Sequence, residues 1–333
     1  MACRPYDNPA PLTACRHAAL VALALVPALG GSAEPVALID DDVPRAAPAA
    51  LTWTAPTAVA PGGIARVYVA ETEPPLDAVM VALVDPSGRQ PTRQIQAFRT
   101  DGHDGDGGRW VALVGIPTTV APSEYGLVID ATRDPGRLQI SATLLVTERA
   151  FASFEIALSA SLSELRRSPD PRKDEQSRRL NEILFRFDPT AEFHSEALRL
   201  PLVQLRRTSV YGDRRRYLYH DGSTALSVHR GVDYAAVEGT PVHAAGAGRI
   251  AMARPRIVTG NTVVLEHLPG VFSLYYHLHA LDVNEGQLVA AGARLGSVGS
   301  TGLATGAHLH WEVRVGGVAV DPLLLMDEPL VDR

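Results

Sequence analysis

Cysteine is almost missing from this chain. Its 333 residues contain two, Cys3 and Cys15, and both lie in an N-terminal stretch that reads as an export leader. Arg4 and Arg16 precede an apolar run over residues 18–29, and Gly31-Ser32-Ala33 supplies small residues for cleavage. Such a run is too short for a comfortable membrane span and has the length of a leader's apolar core. Cleavage after residue 33 leaves no cysteine, which excludes a structural disulfide and a sulfur-ligated metal site. No Leu-Ala-Gly precedes either cysteine, so lipid attachment is not expected. A second long hydrophobic run is also lacking, so no further span is expected; a retained leader would be the anchor. Nor is there an excess of basic residues. Lys and Arg total 31 against 37 Asp and Glu, a net charge of -6, which argues against a nucleic-acid partner. The expected product is an exported, periplasmic or extracellular monomer.

What is present is enough apolar material, 46% of residues, for two domains. Residues 34–50 are rich in Asp, Pro and Ala and read as a linker. Residues 51–150 carry short alternating or continuous apolar runs, among them Ile64-Ala-Arg-Val-Tyr-Val69 and Trp110-Val-Ala-Leu-Val-Gly-Ile116, with turns every ten or so residues. That spacing predicts an immunoglobulin-like β-sandwich. Its loop Asp101-Gly-His-Asp104-Gly-Asp106-Gly-Gly108 has a calcium-loop look but carries Ala112 where a bidentate Glu belongs, so a hairpin turn is the reading. Residues 151–199 read as a helical linker: Asp170-Pro171 caps a helix whose Leu180, Ile183, Leu184 and Phe187 share a face. Residues 200–325 return to β patterning, with Pro269-Gly270 as a hairpin turn, and 326–333 form a tail. The expected fold is all-β: an N-terminal sandwich, a short helical linker and a C-terminal antiparallel sheet with an open groove.

The chemistry gathers between residues 229 and 311. His229 and Asp233 are four apart, a spacing that returns to one face. His308 and His310 are two apart, one face of a strand. His277 lies on a third segment. Two same-face pairs from separate strands can converge on one ion, and zinc favours imidazole nitrogen and carboxylate oxygen. His279 shares strand parity with Tyr275 and His277 and is read as a groove wall or a solvated position. His220, His243 and His267 have no partner at ligand spacing and read as structural or surface residues. Glu266, Glu312 and Tyr211 are candidates for supporting roles, each with the bland reading preferred.

At these residues the chain resembles the lysostaphin-like (LytM-type) zinc endopeptidases of bacterial peptidoglycan. The matching stretches are His229-Arg-Gly-Val-Asp233, Gly260-Asn-Thr-Val-Val-Leu-Glu-His267, Ser273-Leu-Tyr-Tyr-His277-Leu, and the run from Gly299 through His308-Leu-His310-Trp-Glu. Tyr211-Gly212-Asp213-Arg214-Arg215 and Val318-Ala-Val-Asp321-Pro322 flank them. The resemblance implies that His229, Asp233 and His310 bind Zn2+, and that His277 and His308 handle protons and the developing oxyanion. It implies hydrolysis of peptide cross-links, either glycine bridges or D-alanyl bonds. The alternative is a non-catalytic module of the same fold that binds cell wall or regulates an amidase; the complete ligand set speaks against it.

Overall fold

The computed structural model describes residues 51–100, 108–134, 136–203 and 206–332. The expected leader, the acidic linker and most of the Asp101–Gly108 turn lie outside the described residues. Among those described, no helix is long and apolar enough to cross a membrane.

Nine strands make up the first part: β1 (Trp53–Thr54), β2 (Ala58–Val59), β3 (Ile64–Ala70), β4 (Ala78–Val84), β5 (Ile95–Gln96), β6 (Phe98–Thr100), β7 (Arg109–Gly115), β8 (Ser123–Arg133) and β9 (Gly136–Val146). They form two sheets, β1-β3-β7-β6 and β2-β9-β8-β4-β5. Alternation in β3 buries Ala65, Val67 and Val69 and leaves Arg66 and Tyr68 on the other face. The unbroken apolar run in β7 has a separate cause. Trp110, Ala112 and Val114 join the core between the two sheets, while Val111 and Leu113 join the core of the C-terminal part. A strand buried on both faces has no polar positions to alternate.

The connecting segment holds a strand as well as helices: β10 (Ser153–Ala157), α1 (Ala160–Arg167) and α2 (Pro171–Leu184). Asp170 caps α2, its carboxylate accepting from Arg172 N at 2.9 Å. Leu180, Ile183 and Leu184 face the C-terminal sheet. Phe187, expected on that stripe, lies beyond the helix end and packs against a different cluster.

The C-terminal part contains β11 (Arg206–Ser209), β12 (Arg214–Leu218), β13 (Thr224–Val228), β14 (Val232–Ala235), β15 (Pro241–His243), β16 (Gly248–Arg256), β17 (Gly260–Leu268), β18 (Val271–Leu281), β19 (Leu288–Val289), β20 (Arg294–Val298), β21 (His308–Val315) and β22 (Val318–Val320). The main sheet runs β11-β14-β21-β18-β17-β16-β19. The mostly antiparallel order follows from short turns; Pro269 and Gly270, the latter at φ +74°, close the β17–β18 hairpin. A small sheet, β10-β12-β13, stands beside it, with β10 parallel to β12.

The two faces of the main sheet have different fates. Trp311, Tyr275, Val313 and Leu309 belong to a large apolar core that also takes in Phe98, Val111 and Leu113 of the N-terminal strands. Arg66, donating to the Leu330 carbonyl, and Arg149, 2.5 Å from Asp321, tie the same two parts together. On the opposite face, α2 covers Met252, Val264, Phe272 and Leu274. The part of that face over β14, β21 and the end of β18 carries the polar cluster.

Candidate metal centre

Strand register builds the centre. Asp233 on β14 lies opposite His310 on β21, which lies opposite Tyr276 on β18; Ala235 lies opposite His308. Cross-strand partners share a face, so Asp233, His308 and His310 face one way. His229 sits in the turn between β13 and β14, outside any strand. Gly231 follows, and the His310 ring passes so close that a Cβ there would lie 2.9 Å from its Nε2.

Three donor atoms converge. His229 Nε2 is 3.0 Å from Asp233 Oδ1 and 3.0 Å from His310 Nδ1, and His310 Nδ1 is 2.9 Å from Asp233 Oδ1. All three residues are buried. His229 Nδ1 donates to the Val210 carbonyl at 2.7 Å, which fixes the tautomer and aims the Nε2 lone pair inward. The His310 ring stacks on Tyr276, centroids 5.1 Å apart, and its Nε2 lies 3.6 Å from Glu312.

The electrostatics favour a cation at this point. Burial resists protonation of His310, yet bonds from Asp233 and Glu312 outweigh it and push the imidazole up to about 9. Asp233 is held well below the usual carboxylate range: burial opposes ionisation, and His229 and His310 overcome it. Two imidazole nitrogens and one carboxylate oxygen, with a carboxylate behind one imidazole, suit zinc with a position left over. Among the described residues these three form the group of His, Asp and Glu whose donor atoms lie within 4.8 Å of one another.

His308 and His277 stand beside the donors. His308 Nε2 is 3.9 Å from Asp233 Oδ1, and its Nδ1 donates to the Gly306 carbonyl at 2.8 Å. The His277 ring lies 4.7 Å from that of His308, and its Nδ1 donates to the Thr301 carbonyl at 2.8 Å. Carbonyls only accept, so each ring keeps its proton on Nδ1 and presents a basic Nε2. Burial, helped by His308 and His310, lowers His277 to about 3.

His277 reaches this face against strand alternation. Its neighbour Tyr276 already faces the centre, yet His277 does too, because its backbone turns to φ +61°. It is the non-glycine residue with positive φ among those described, a conformation that costs roughly 1–2 kcal/mol. Asn261 holds the turn, its Nδ2 donating to the Leu278 and His279 carbonyls at 3.0 Å each. Thr301 Oγ1 adds a bond to the Leu278 carbonyl at 2.8 Å. The parity argument for His279 fails here. Tyr275 points into the opposite core, and His279 pairs with Glu238 at 3.0 Å on an exposed surface. Tyr211 is buried and bonds the Ala319 carbonyl at 2.7 Å, away from the donors. Glu266 is tied to Arg186 and Arg249 under α2.

Sequence reading gave no role to Arg215, Asn261 or Thr301. Arg215 Nη2 donates to Asp233 Oδ2 at 2.6 Å. The signal available was position alone: Arg215 and Asn261 both lie within the stretches that carry the resemblance.

Fold and donor set together define an all-β domain with a buried His-Asp-His group that could hold a metal ion. A profile of peptidase family M23 matches residues 227–322, within the C-terminal part of this chain. Over 123 residues the chain is 42% identical to the DD-carboxypeptidase/endopeptidase Mpg of Neisseria meningitidis, covering 37% of this chain and 27% of that protein. Over 125 residues it is 38% identical to the peptidoglycan DD-endopeptidase ShyA of Vibrio cholerae, covering 38% and 29%. The chain thus spans less than a third of these relatives. A solved Pseudomonas aeruginosa structure described as a peptidase M23 aligns over 81% of this chain and 95% of its own length, at 24% identity and TM-score 0.55; it shares the fold across both parts.

Proposed function

We propose that this protein is an exported zinc endopeptidase that hydrolyses peptide bonds in peptidoglycan, with the DD-endopeptidase activity for which the relatives are named. The observation that carries the reading is the convergence of His229 Nε2, Asp233 Oδ1 and His310 Nδ1 with two Nε2-basic histidines alongside. Those three residues would hold the ion. Zinc, when bound, supplies Lewis acidity toward water and toward a carbonyl oxygen.

The chain's own residues do the rest. His308 Nε2, nearest the donors, takes the proton of the attacking water as its oxygen bonds to the carbonyl carbon. The C–N bond breaks, and the same proton passes to the leaving amine. His277, held neutral by burial and by the two histidines beside it, keeps its Nε2 as a hydrogen-bond acceptor next to His308. Glu312 and Val210 orient His310 and His229.

Incubation of the full chain with purified peptidoglycan tests this. New amino groups that disappear with a chelator and return with Zn2+ are the expected result. Metal retention without product release would favour the non-catalytic wall-binding module instead.

A further inference from the structure

A largely buried guanidinium touches the centre from outside the four site histidines and the aspartate. Arg215 projects from β12, with 14% of its side chain exposed. Its Nη2 donates to Asp233 Oδ2 at 2.6 Å and to Ser209 Oγ at 2.8 Å. Ser209 Oγ in turn donates to Asp213 Oδ2 at 2.5 Å, which also accepts from Val210 N at 3.0 Å. Val210 is the residue whose carbonyl orients His229. One segment, 209–215, therefore braces two of the three donor residues.

The two oxygens of Asp233 have separate partners. Oδ1 faces His229 Nε2 and His310 Nδ1, whereas Oδ2 is taken by Arg215. Resting on the zinc-centre reading above, we propose that Arg215 is a positioning residue that restricts Asp233 to ligation through Oδ1 and so preserves an open coordination position. A carboxylate without such a partner can turn and bind through both oxygens. The second oxygen would then fill the place that water or a substrate carbonyl needs in a catalytic site. A charge-assisted bond of this length is strong, and it draws electron density from the carboxylate, which makes Oδ1 a weaker donor and the ion more acidic. Burial of a guanidinium is costly unless paired; the Asp233 carboxylate supplies the pairing.

The test uses the full chain loaded with Co2+ in place of zinc, whose visible absorption weakens as the coordination number rises. Wild type is expected to show an intense four-coordinate band. In Arg215→Met the band loses intensity as Oδ2 enters, and peptidoglycan hydrolysis falls on the order of 10–100-fold, as for other outer partners of metal ligands, while circular dichroism shows the fold intact. Arg215→Lys keeps the positive charge and regains part of both signals. Should Arg215→Met fail to fold, Arg215→Gln carries the same comparison. A folded variant that binds Co2+ with the wild-type spectrum overturns the role given to Arg215. Wild type that retains neither Co2+ nor Zn2+ overturns the zinc reading itself, a separate result.

Discussion

His267 should make this protein sensitive to mild acid. The residue is buried completely on β17. Its Nδ1 donates to the Ala247 carbonyl at 2.7 Å, so its Nε2 accepts from Ser273 Oγ at 2.7 Å. Ser273 Oγ and the Tyr275 hydroxyl share a bond at 2.9 Å, and that hydroxyl accepts from Ala245 N at 2.8 Å. The chain of bonds is complete with a neutral imidazole and offers no carboxylate to a charged one. Burial, with His194 close by, lowers His267 from 6.5 to about 4. The folded state therefore binds the proton less readily than the unfolded state. Stability from this group is fully present above pH 6.5 and is lost as pH falls toward 4. At about 1.4 kcal/mol per pH unit, the loss is about 3 kcal/mol. Urea unfolding of the metal-stripped chain at several pH values between 7.5 and 4, compared with His267→Gln, isolates it. Glutamine carries a constant cost but does not titrate. The stability difference between the two proteins should shrink by about 3 kcal/mol across that window; parallel curves would refute the reasoning.

Other outcomes follow from the same geometry. His310→Ala and Asp233→Ala each remove a donor, so metal content and peptidoglycan hydrolysis should both fall to the level of chelator-treated wild type, as read by elemental analysis and amine release. His308→Gln removes a base but no donor; it should keep its metal and lose about 10²–10⁴-fold in rate. Asn261→Ala frees the Leu278 and His279 carbonyls and lets His277 relax toward ordinary strand geometry; kcat should drop by about 10²-fold with metal content unchanged. Gly231→Ala pushes a methyl against the Trp311 carbonyl and His310 Nε2. It should cost about 1–3 kcal/mol in thermal unfolding and weaken metal retention under chelator competition.

Much of this was legible because register and periodicity are local properties. The Asp170-Pro171 cap marked the start of α2, and Pro269-Gly270 marked a hairpin that the structure contains. The His308 and His310 spacing told which face they share, because β21 is regular there. Elements held by distant partners were not legible. β10 pairs with β12 some sixty positions later, and its five residues carry no alternation that marks a strand. α1 is eight residues long with a Ser159 cap, too short for a periodic stripe to stand out. Phe187 matched the helical period by count, but the helix ends at Leu184 and Pro189 follows, so the backbone had already left the spiral.

His277 shows why counting positions along a strand can mislead at a functional site. Alternation assigns Tyr275 and His277 to one face and Tyr276 to the other. The structure instead sends Tyr275 to the core and both Tyr276 and His277 to the metal centre. One residue at positive φ shifts the parity, and register breaks beside it in the pairing of β17 with β18 and of β18 with β20. A bulge of this kind re-aims a side chain at the expense of ladder bonds. Its stabilisation comes from Asn261 and Thr301, which lie 16 and 24 positions away in the chain. No window of residues around 277 contains that information. The strain and its two supports are therefore one feature of the site, and a substitution at either support should act on the rate before it acts on the fold.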